Sequence, residues 1–289
     1  MTAPEISVVI PHYDDLSGLA RCLDALEAQT IGRSRFEILV GDNGSPCGLD
    51  AVEAVTANRA CVVEVRERGA GPARNGAAAV ARGDILAFID SDCIADSHWL
   101  EAGVAALAPR AFAGGQVIVP VEANAPLSGA EAYEVIFAFR MGDYIRRKGF
   151  TGTGNLFVRR ADFGAVGPFR TGVSEDVDWC RRATANGLTL VYAPDAIAAH
   201  PARPDWAGLF ARTRRIQSEL FLLAAQRRFG RLRWFVRSLA MPVSIVAHAP
   251  RILRARSIRG ARVKALRTLV RLRLWRAGKG LRQALTGRA

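Results

Sequence analysis

A short apolar segment that ends in two carboxylates constrains the fold more than any other part of the sequence. Residues Ile85–Ile89 are apolar without interruption, and Asp90 and Asp92 follow with only Ser91 between them. An unbroken apolar run of this length is typical of a strand that is buried on both faces of a parallel sheet. In open α/β sheets, ligands bind beyond the carboxyl ends of the strands. The pattern therefore predicts that this strand delivers two carboxylates to a ligand site.

The two neighbouring carboxylates favour a cation site. Like charges this close repel each other, and a divalent cation placed between them and an anionic ligand removes the repulsion. The alternative is a helix N-cap, although Asp96 and Ser97 can equally begin the next helix. A cap accounts poorly for one carboxylate and worse for two, so we favour the metal site.

Segments with strand and helix patterns alternate along residues 5–202. The predicted strands span 5–10, 36–40, 61–65, 84–90, 113–119 and 188–192, and another ends at Val158. The predicted helices between them span 16–29, 49–58, 76–81, 98–107, 130–141 and 174–186. Pro11 is expected to end the first strand, and residues 68–75 are expected to form a glycine-rich loop. This alternation predicts βαβ units and an α/β fold with a parallel sheet.

Charge is distributed unevenly along the chain, whose net charge is +13. Residues 203–289 contain 22 Lys and Arg against two acidic residues, a net of +20. The remaining 18 basic and 25 acidic residues give residues 1–202 a net charge of −7. We therefore expect an α/β domain at residues 1–205 and a basic, helical region at residues 206–289.

The cysteines and the N-terminus indicate a cytoplasmic protein. The five cysteines are scattered without C-x-x-C spacing, which argues against a disulfide framework or a zinc site and for a reducing compartment. The first residues lack the basic region of a secretory signal peptide, so none is expected.

A second acidic cluster and one histidine allow two interpretations each. Ser174 is a favourable N-cap, and acidic residues in the first turn of a helix interact favourably with the helix dipole. This structural interpretation does not require Asp178 as well. A carboxylate at this helix start can equally act as a general base towards a substrate hydroxyl. His200, which follows the last predicted strand, is either a satisfied polar residue or a ligand for a Mn²⁺-type ion.

Seven short motifs follow one another in a fixed order. They are Ser7–Tyr13, Val40–Ser45, Gly71–Asn75, Ile89–Asp92, Gly152–Asn155, Ser174–Asp178 and Pro194–His200. In this order and spacing they resemble a family 2 glycosyltransferase with the GT-A fold. That fold is a Rossmann-like, mostly parallel sheet flanked by helices, here followed by a basic helical C-terminal extension. The resemblance implies an inverting transferase that uses a nucleotide-diphospho-sugar and a divalent metal, Mn²⁺ or Mg²⁺.

The resemblance also implies roles for individual residues. The positions that match nucleotide or donor binding are Pro11, Tyr13, Asp42, Arg74 and Asp90. Asp42 matches the residue that bonds the base, usually uracil, so UDP is expected in preference to dTDP or GDP. Asp92 and His200 match metal-binding positions, and Asp176 matches the general base. The positions near the acceptor or the donor sugar are Gly154, Asn155, Glu175 and Trp179, with a core role equally open for Trp179.

Other features narrow the class of enzyme. The Gln-x-x-Arg-Trp motif and transmembrane segments of processive family members are not found, so we expect single addition of a hexose or deoxyhexose to a glycan or lipid-linked saccharide. A sugar nucleotidyltransferase would need a glycine-rich loop with a basic residue after the first strand, which Pro11–Asp15 does not supply. A further alternative is a non-catalytic protein on a GT-A scaffold that binds nucleic acid or membranes.

The basic region at residues 206–289 has three possible roles: an amphipathic membrane anchor, a nucleic-acid-binding patch, or a solvated tail without a partner. Residues 238–250 carry no Lys, Arg, Asp or Glu but are shorter than the ~20 residues that span a bilayer. Arginines interleaved with Leu, Ile and Trp favour an anionic membrane surface. We therefore expect a peripheral protein on the inner face of the cell membrane and no nucleic-acid partner.

Overall fold

The computed structural model describes residues 4–121 and 126–289, which form two compact units. The first, called the α/β unit here, runs to Ile118 and then includes Phe139–Thr171 and Glu175–His200. The second, called the helical unit, consists of Val119–Ala138, Gly172–Ser174 and Pro201–Ala289. The basic C-terminal region thus shares its unit with two segments from earlier in the chain.

The α/β unit is built on one sheet with the strand order β3-β2-β1-β4-β7-β6-β8-β5. Its strands are β1 Ile6–His12, β2 Phe36–Asp42, β3 Cys61–Glu64, β4 Ile85–Ile89, β5 Ile94–Ala95, β6 Ala111–Ile118, β7 Asn155–Arg159 and β8 Thr189–Ala199. Strands β1 to β4 pair in parallel, as do β6 and β8. Strand β7 is antiparallel to both β4 and β6, and β5 is antiparallel to β8. The predicted α/β class is confirmed, with a mixed sheet.

Helices flank this sheet on both faces. They are α1 Leu16–Glu27, α2 Leu49–Thr56, α3 Ala70–Ala79, α4 Trp99–Ala105, α6 Met141–Lys148, α7 Arg160–Val166 and α8 Glu175–Ala185. Strand β4 shows why helices cover both faces of the sheet. Ile85 and Ile89 lie in one apolar cluster with Leu23 of α1, whereas Phe88 lies in another cluster with Trp179 of α8. Alternate residues of the strand therefore fill two cores, as the unbroken apolar run predicts.

Several predicted boundaries were wrong, and three of them bear on the site. Strand β1 continues through Pro11 to His12, whose carbonyl accepts a hydrogen bond from the Asn43 N–H at 2.9 Å, so the missing proline N–H does not end the strand. Helix α3 occupies most of the predicted glycine-rich loop, because Pro72 lies in its first turn, where backbone N–H groups need no partner within the helix. Strand β8 extends to Ala199, so His200 follows it directly.

The helical unit contains α5 Gly129–Phe137, α9 Trp206–Ala225, α10 Gly230–Leu239, α11 Val243–Arg254 and α12 Arg262–Thr286. Helix α12 packs against the other four, and small residues bring the helices close together. A Cβ on Gly280, for example, would lie 2.2 Å from the Ser238 hydroxyl of α10. The fully buried Glu134 of α5 pairs with Arg203 at 3.0 Å and Arg212 at 3.4 Å. Within the described residues, none of the helices combines the length and apolarity that crossing a bilayer requires.

Candidate active site

The carboxyl ends of β1, β2 and β4 bring polar side chains to one edge of the sheet. His12 ends β1 and lies opposite Asp42, which ends β2, and Asp90 follows β4 directly. Parallel pairing is what aligns these ends, because neighbouring strands that run in the same direction terminate on the same side. Residues of three of the motifs, His12, Asp42 and Asp90, therefore lie at the edge of the sheet where a ligand is expected to bind.

Asp42 is buried and held by a local hydrogen-bond network. Its Oδ1 lies 2.9 Å from His12 Nδ1 and accepts the Ser45 hydroxyl at 2.5 Å. Its Oδ2 accepts the backbone N–H groups of Ser45 and Gly44 at 3.1 and 3.2 Å. Burial by itself raises the pKa of Asp42, but these bonds from Ser45 and His12 outweigh it and lower the pKa below its ordinary value. The network fixes an ionised carboxylate behind the β1 and β2 ends.

Pro11 and Tyr13 flank His12 at this edge but differ in exposure. Pro11 is buried within β1, whereas the Tyr13 side chain is 51% exposed just beyond the strand. An exposed aromatic ring next to a buried carboxylate is a suitable stacking surface for a nucleotide base.

Arg74 links two motifs that are far apart in sequence. It lies on α3, is only 4% exposed, and places Nη2 2.5 Å from Asp90 Oδ1 while Nη1 pairs with Glu175 Oε1 at the start of α8. Burial lowers the pKa of Arg74, but Asp90 and Glu175 more than compensate and raise it, so the guanidinium stays charged. The Asp90 carboxylate therefore forms an ion pair with an arginine of the protein itself.

Gly154 lies against the Asp90 side chain, and Asn155 next to it in sequence has a different role. A Cβ on Gly154 would lie 2.4 Å from Asp90 Oδ2, so only glycine permits this approach. Asn155 is fully buried: its Oδ1 accepts the Trp99 indole N–H at 2.9 Å, and its Nδ2 donates to the carbonyls of Gln116 and Ala196, each at 2.9 Å. The Asn155 amide therefore joins β7 to β6 and β8, a structural role that the sequence does not reveal.

Asp92 and His200 meet although 107 residues separate them in sequence. His200 Nε2 lies 3.3 Å from Asp92 Oδ2, and the imidazole is 5% exposed and packs against the Phe139 ring at 4.6 Å. The His200 N–H donates to the Ile118 carbonyl at 2.9 Å, which fixes the end of β8 beside β6. One carboxylate and one imidazole therefore converge beyond the sheet edge.

These residues fit a divalent cation of the Mn²⁺ type. Ligand atoms of Asp90, Asp92 and Cys93 lie within 4.8 Å of one another. Cys93 is a poor ligand, because burial and then the charges of Asp90 and Asp92 raise the pKa of its thiol well above the ordinary value. Asp90 is bound to Arg74, so Asp92 and His200 are the residues best placed to hold the cation.

The acidic residues of α8 have separate environments. Asp178 is buried and pairs with Arg182 at 2.9 Å and Arg170 at 3.4 Å, so it stabilises the helix and its surroundings. Trp179 is fully buried, packs against Phe112 and Phe163, and donates to the Gly167 carbonyl at 3.0 Å. That environment is a core position. Asp176 lies half-buried in the first turn, where its Oδ1 accepts the Val177 N–H at 2.7 Å.

The site contains residues to which the sequence assigned no role. They are His12 and Ser45 at Asp42, Trp99 at Asn155, and Phe139 at His200. His12 carries a usable signal, because it stands one residue after the last apolar position of β1 and opposite the acidic end of β2. Ser45 is three residues from Asp42, so that contact is local, whereas the Trp99 and Phe139 contacts join distant segments, for which one sequence offers no local pattern.

Comparison with known proteins identifies the family. A sequence model described as glycosyl transferase family 2 matches residues 7–167. The chain is 37% identical over 213 residues to the glycosyltransferase AglE of Haloferax volcanii, covering 70% of this chain and 69% of that one. It is 29% identical over 223 residues to a pre-mycofactocin glycosyltransferase of Mycobacterium tuberculosis, covering 70% of this chain but 44% of that protein.

Solved structures show the same fold. A mannosyltransferase, PcManGT, from Pyrobaculum calidifontis in complex with GDP-Man and Mn²⁺ superposes with a TM-score of 0.67 at 20% identity, covering 100% of this chain and 89% of that one. Residues 1–349 of TarS from S. aureus give a TM-score of 0.54 at 18% identity, covering 98% of this chain and 92% of that one. The GT-A fold is thereby established, and the chain belongs to glycosyl transferase family 2 as a glycosyltransferase.

Proposed function

We propose that this protein transfers a hexose or deoxyhexose from a nucleotide-diphospho-sugar to a hydroxyl of a glycan or lipid-linked saccharide, with inversion at the anomeric carbon. The observation that carries the proposal is the Arg74 bridge from Asp90 to Glu175. Through this bridge the first turn of α8, which contains Asp176, is tied to the edge that bears the two aspartates. A single displacement needs a carboxylate beside the acceptor hydroxyl and a donor site close to it, so that both substrates are held together.

In this proposal Asp176 is the general base. It accepts the proton of the acceptor hydroxyl while the oxygen attacks the anomeric carbon from the face opposite the diphosphate. The C–O bond to the diphosphate breaks as the new glycosidic bond forms, so one displacement inverts the configuration without a covalent enzyme intermediate. The neighbouring carboxylates Glu175 and Asp178 are bound to arginines and serve to position the helix.

Asp92 and His200 are the residues that would hold a divalent cation, Mn²⁺ or Mg²⁺. When bound there, such an ion supplies Lewis-acid stabilisation of negative charge on a departing diphosphate. Phe139 holds the His200 ring in orientation by packing on it, and the backbone bond to Ile118 fixes its position. Asp90, bound to Arg74, faces the donor beside this pair.

For the donor nucleotide we propose UDP first. Pro11 and the exposed Tyr13 ring flank the base in this proposal, and Arg74 lies on the donor side. The oxygens of the ionised Asp42 already accept bonds from His12, Ser45 and Gly44, so Asp42 attracts the imino N–H of a base through its charge. Guanine offers a similar N–H, and the solved mannosyltransferase is a complex with GDP-Man, so GDP is the principal competitor. For the location, we propose that the basic region at residues 206–289 rests on the anionic inner face of the cell membrane.

A thermal-shift screen tests the donor assignment. UDP-, dTDP- and GDP-sugars are added in turn with Mn²⁺, Mg²⁺ or a chelator. A ligand at 100 times its dissociation constant adds about 2.7 kcal/mol to the free energy of unfolding, so the correct donor with metal raises Tm clearly above the others. Equal Tm values with every nucleotide sugar, with metal and without, would contradict a nucleotide-sugar donor.

The variant Asp176→Asn tests the base. We expect it to bind donor and metal with nearly wild-type affinity but to lose at least about 100-fold in transfer rate, since general-base catalysis contributes 10²–10⁴. Asp195→Asn, the same change at an exposed position after Pro194, serves as the control and should keep its rate. Near wild-type turnover by Asp176→Asn would refute the assignment, and NMR of the product tests inversion separately.

A further inference from the structure

Helices α10 and α11 expose apolar side chains in a helical pattern. In α10, Leu232, Val236 and Leu239 follow at intervals of four and three residues, which places them on one face. In α11, Val243, Val246 and Leu253 likewise share a face. These six side chains, called the exposed apolar face here, are between 54% and 76% exposed. Six large apolar side chains exposed along two consecutive helices are therefore a candidate interaction surface.

The exposed apolar face is not needed for the core of the helical unit. The opposite side of α10 is buried through Trp234, which clusters with Phe221 and Ala284. The opposite side of α11 is buried through Ile252, which clusters with Leu269 of α12. Each helix therefore has one apolar face inside the unit and a second one outside it.

Two arginines lie at the turn between α10 and α11. Arg273 of α12 places Nη1 3.6 Å from the Met241 sulfur in this turn, and its Nε is buried without a hydrogen-bond partner. Arg237 lies in the last turn of α10, over the Trp234 ring at 4.8 Å. Burial, and then the positive charge of Arg273, lower the pKa of Arg237. The two guanidinium groups therefore repel each other.

No carboxylate in this part of the chain can relieve that repulsion. The sequence contains no Asp or Glu after Glu219, whereas residues 220–289 contain 18 Lys and Arg. A phosphate group is the anion that a pair of guanidinium groups binds best, because its oxygens accept several N–H donors at once.

We propose that the α10–α11 turn binds the phosphate of an anionic phospholipid through Arg237 and Arg273, while the exposed apolar face inserts among the acyl chains. This inference rests on the proposed membrane association and assigns it to one surface. A helix with one apolar face and flanking arginines lies in the plane of the bilayer interface, where apolar burial and attraction to anionic lipids add together. Helix α12 then serves as the internal support of the unit.

The charge pattern favours a bilayer over a second copy of the chain. Pairing the same face of two protomers would bring Arg237, Arg251 and Arg254 of each against those of the other, with no acidic residue to balance them. An anionic membrane supplies the opposite charge. The exposed apolar face and the arginines around it therefore suit an anionic membrane better than a second protomer.

Cosedimentation of the full chain with vesicles tests the proposal. The vesicles contain phosphatidylcholine alone or phosphatidylcholine mixed with phosphatidylglycerol. We expect binding to the mixed vesicles and an affinity that falls with added salt. The double variant Val243→Ser, Val246→Ser should lower the partition coefficient about tenfold or more. Arg237→Gln, Arg273→Gln should lower it by a similar factor.

Matched controls change the same residue types elsewhere in the helical unit. Val263→Ser with Leu285→Ser alters two other exposed apolar side chains, and Arg282→Gln with Arg288→Gln removes two other exposed charges. Each control should lose less than about threefold in partitioning, since these residues lie outside the proposed surface. Equal loss in the test and control variants would overturn the assignment.

Two further outcomes would also overturn it. Wild-type protein that is a dimer without lipid, and becomes a monomer in Val243→Ser, Val246→Ser, would mean that a second copy covers the face. Inorganic phosphate that binds the wild type but not Arg237→Gln, Arg273→Gln, while that variant partitions to mixed vesicles as well as the wild type, would mean that the arginines bind phosphate but not lipid.

Two further measurements complete the test. One is made on the wild-type protein, and the other measures donor binding in the variants. Hydrogen exchange in wild-type protein should slow at residues 230–254 when mixed vesicles are added, a result that requires no variant. Thermal shifts by the nucleotide sugar should be unchanged in all these variants, so failure of the lipid site is distinguishable from failure of the transferase assignment.

Discussion

The Arg74 bridge gives the sharpest energetic prediction. In Arg74→Met the side-chain volume is roughly kept, but Asp90 and Glu175 lose the cation that they share. Breaking a buried pair in this way costs about 3–5 kcal/mol when both charges are fully desolvated. Because the Asp90 and Glu175 side chains are still 31% and 22% exposed, water returns to them in part. We therefore expect a loss of about 2–3 kcal/mol in the free energy of unfolding.

Urea unfolding at neutral pH measures this loss. With a slope of about 2–3 kcal/mol per molar urea, the midpoint should fall by about 1 M. Glu175→Gln removes one of the two stranded carboxylates, so Arg74→Met should cost about 1 kcal/mol less in that background, and the double-mutant cycle reports the coupling. Arg35→Met, which breaks the exposed pair with Glu5, is the control and should leave the midpoint nearly unchanged. Equal midpoints for Arg74→Met and Arg35→Met would refute the reasoning.

Two further predictions concern the residues around the bridge. Gly154→Ala should weaken metal-dependent donor binding at least about tenfold and cost about 1–3 kcal/mol of stability, because its methyl group meets Asp90. The control Gly164→Ala has open space in α7 and should stabilise by about 0.4–1 kcal/mol; calorimetry that finds both variants alike would contradict the packing argument. Asp42, whose pKa is lowered by folding, stabilises the native state above its unfolded pKa, and this contribution disappears as pH falls through the folded value. The stability difference between wild type and Asp42→Asn should therefore be full at pH 7 and shrink below about pH 4, and a constant difference from pH 7 to pH 3 would exclude this linkage.

The sequence predicts the parts of this structure that depend on local pattern. The run at Ile85–Ile89 identifies a strand buried on both faces, because every residue in it must find an apolar neighbour. The antiparallel direction of β7 has no such signal: a strand between two others is equally apolar whichever way it runs. The class of fold is therefore predictable from the residues, whereas the mixed pairing is not.

The candidate site divides in the same way. The motif order predicts that Asp92 and His200 belong to one site, and the 3.3 Å approach brings them together. The Arg74–Glu175 pair was not predicted, since an ion pair between residues 101 positions apart leaves no trace in either local sequence. The resemblance places Asn155 near the acceptor or the donor sugar, and the structure adds that its amide is bonded to Trp99 and two carbonyl groups. The partners of this buried amide come from three other segments of the chain, so one sequence cannot identify them.

Calorimetric titration of the nucleotide diphosphate identified in the screen, with and without Mn²⁺, tests whether Asp92 and His200 form a metal-dependent donor site. We expect Mn²⁺ to strengthen binding to the wild type, and we expect Asp92→Ala and His200→Ala each to lose most of this gain, about tenfold or more. Asp96→Ala, an exposed aspartate four residues further on, should keep it. The same Mn²⁺-dependent gain in Asp92→Ala as in the wild type would exclude Asp92 as a metal ligand.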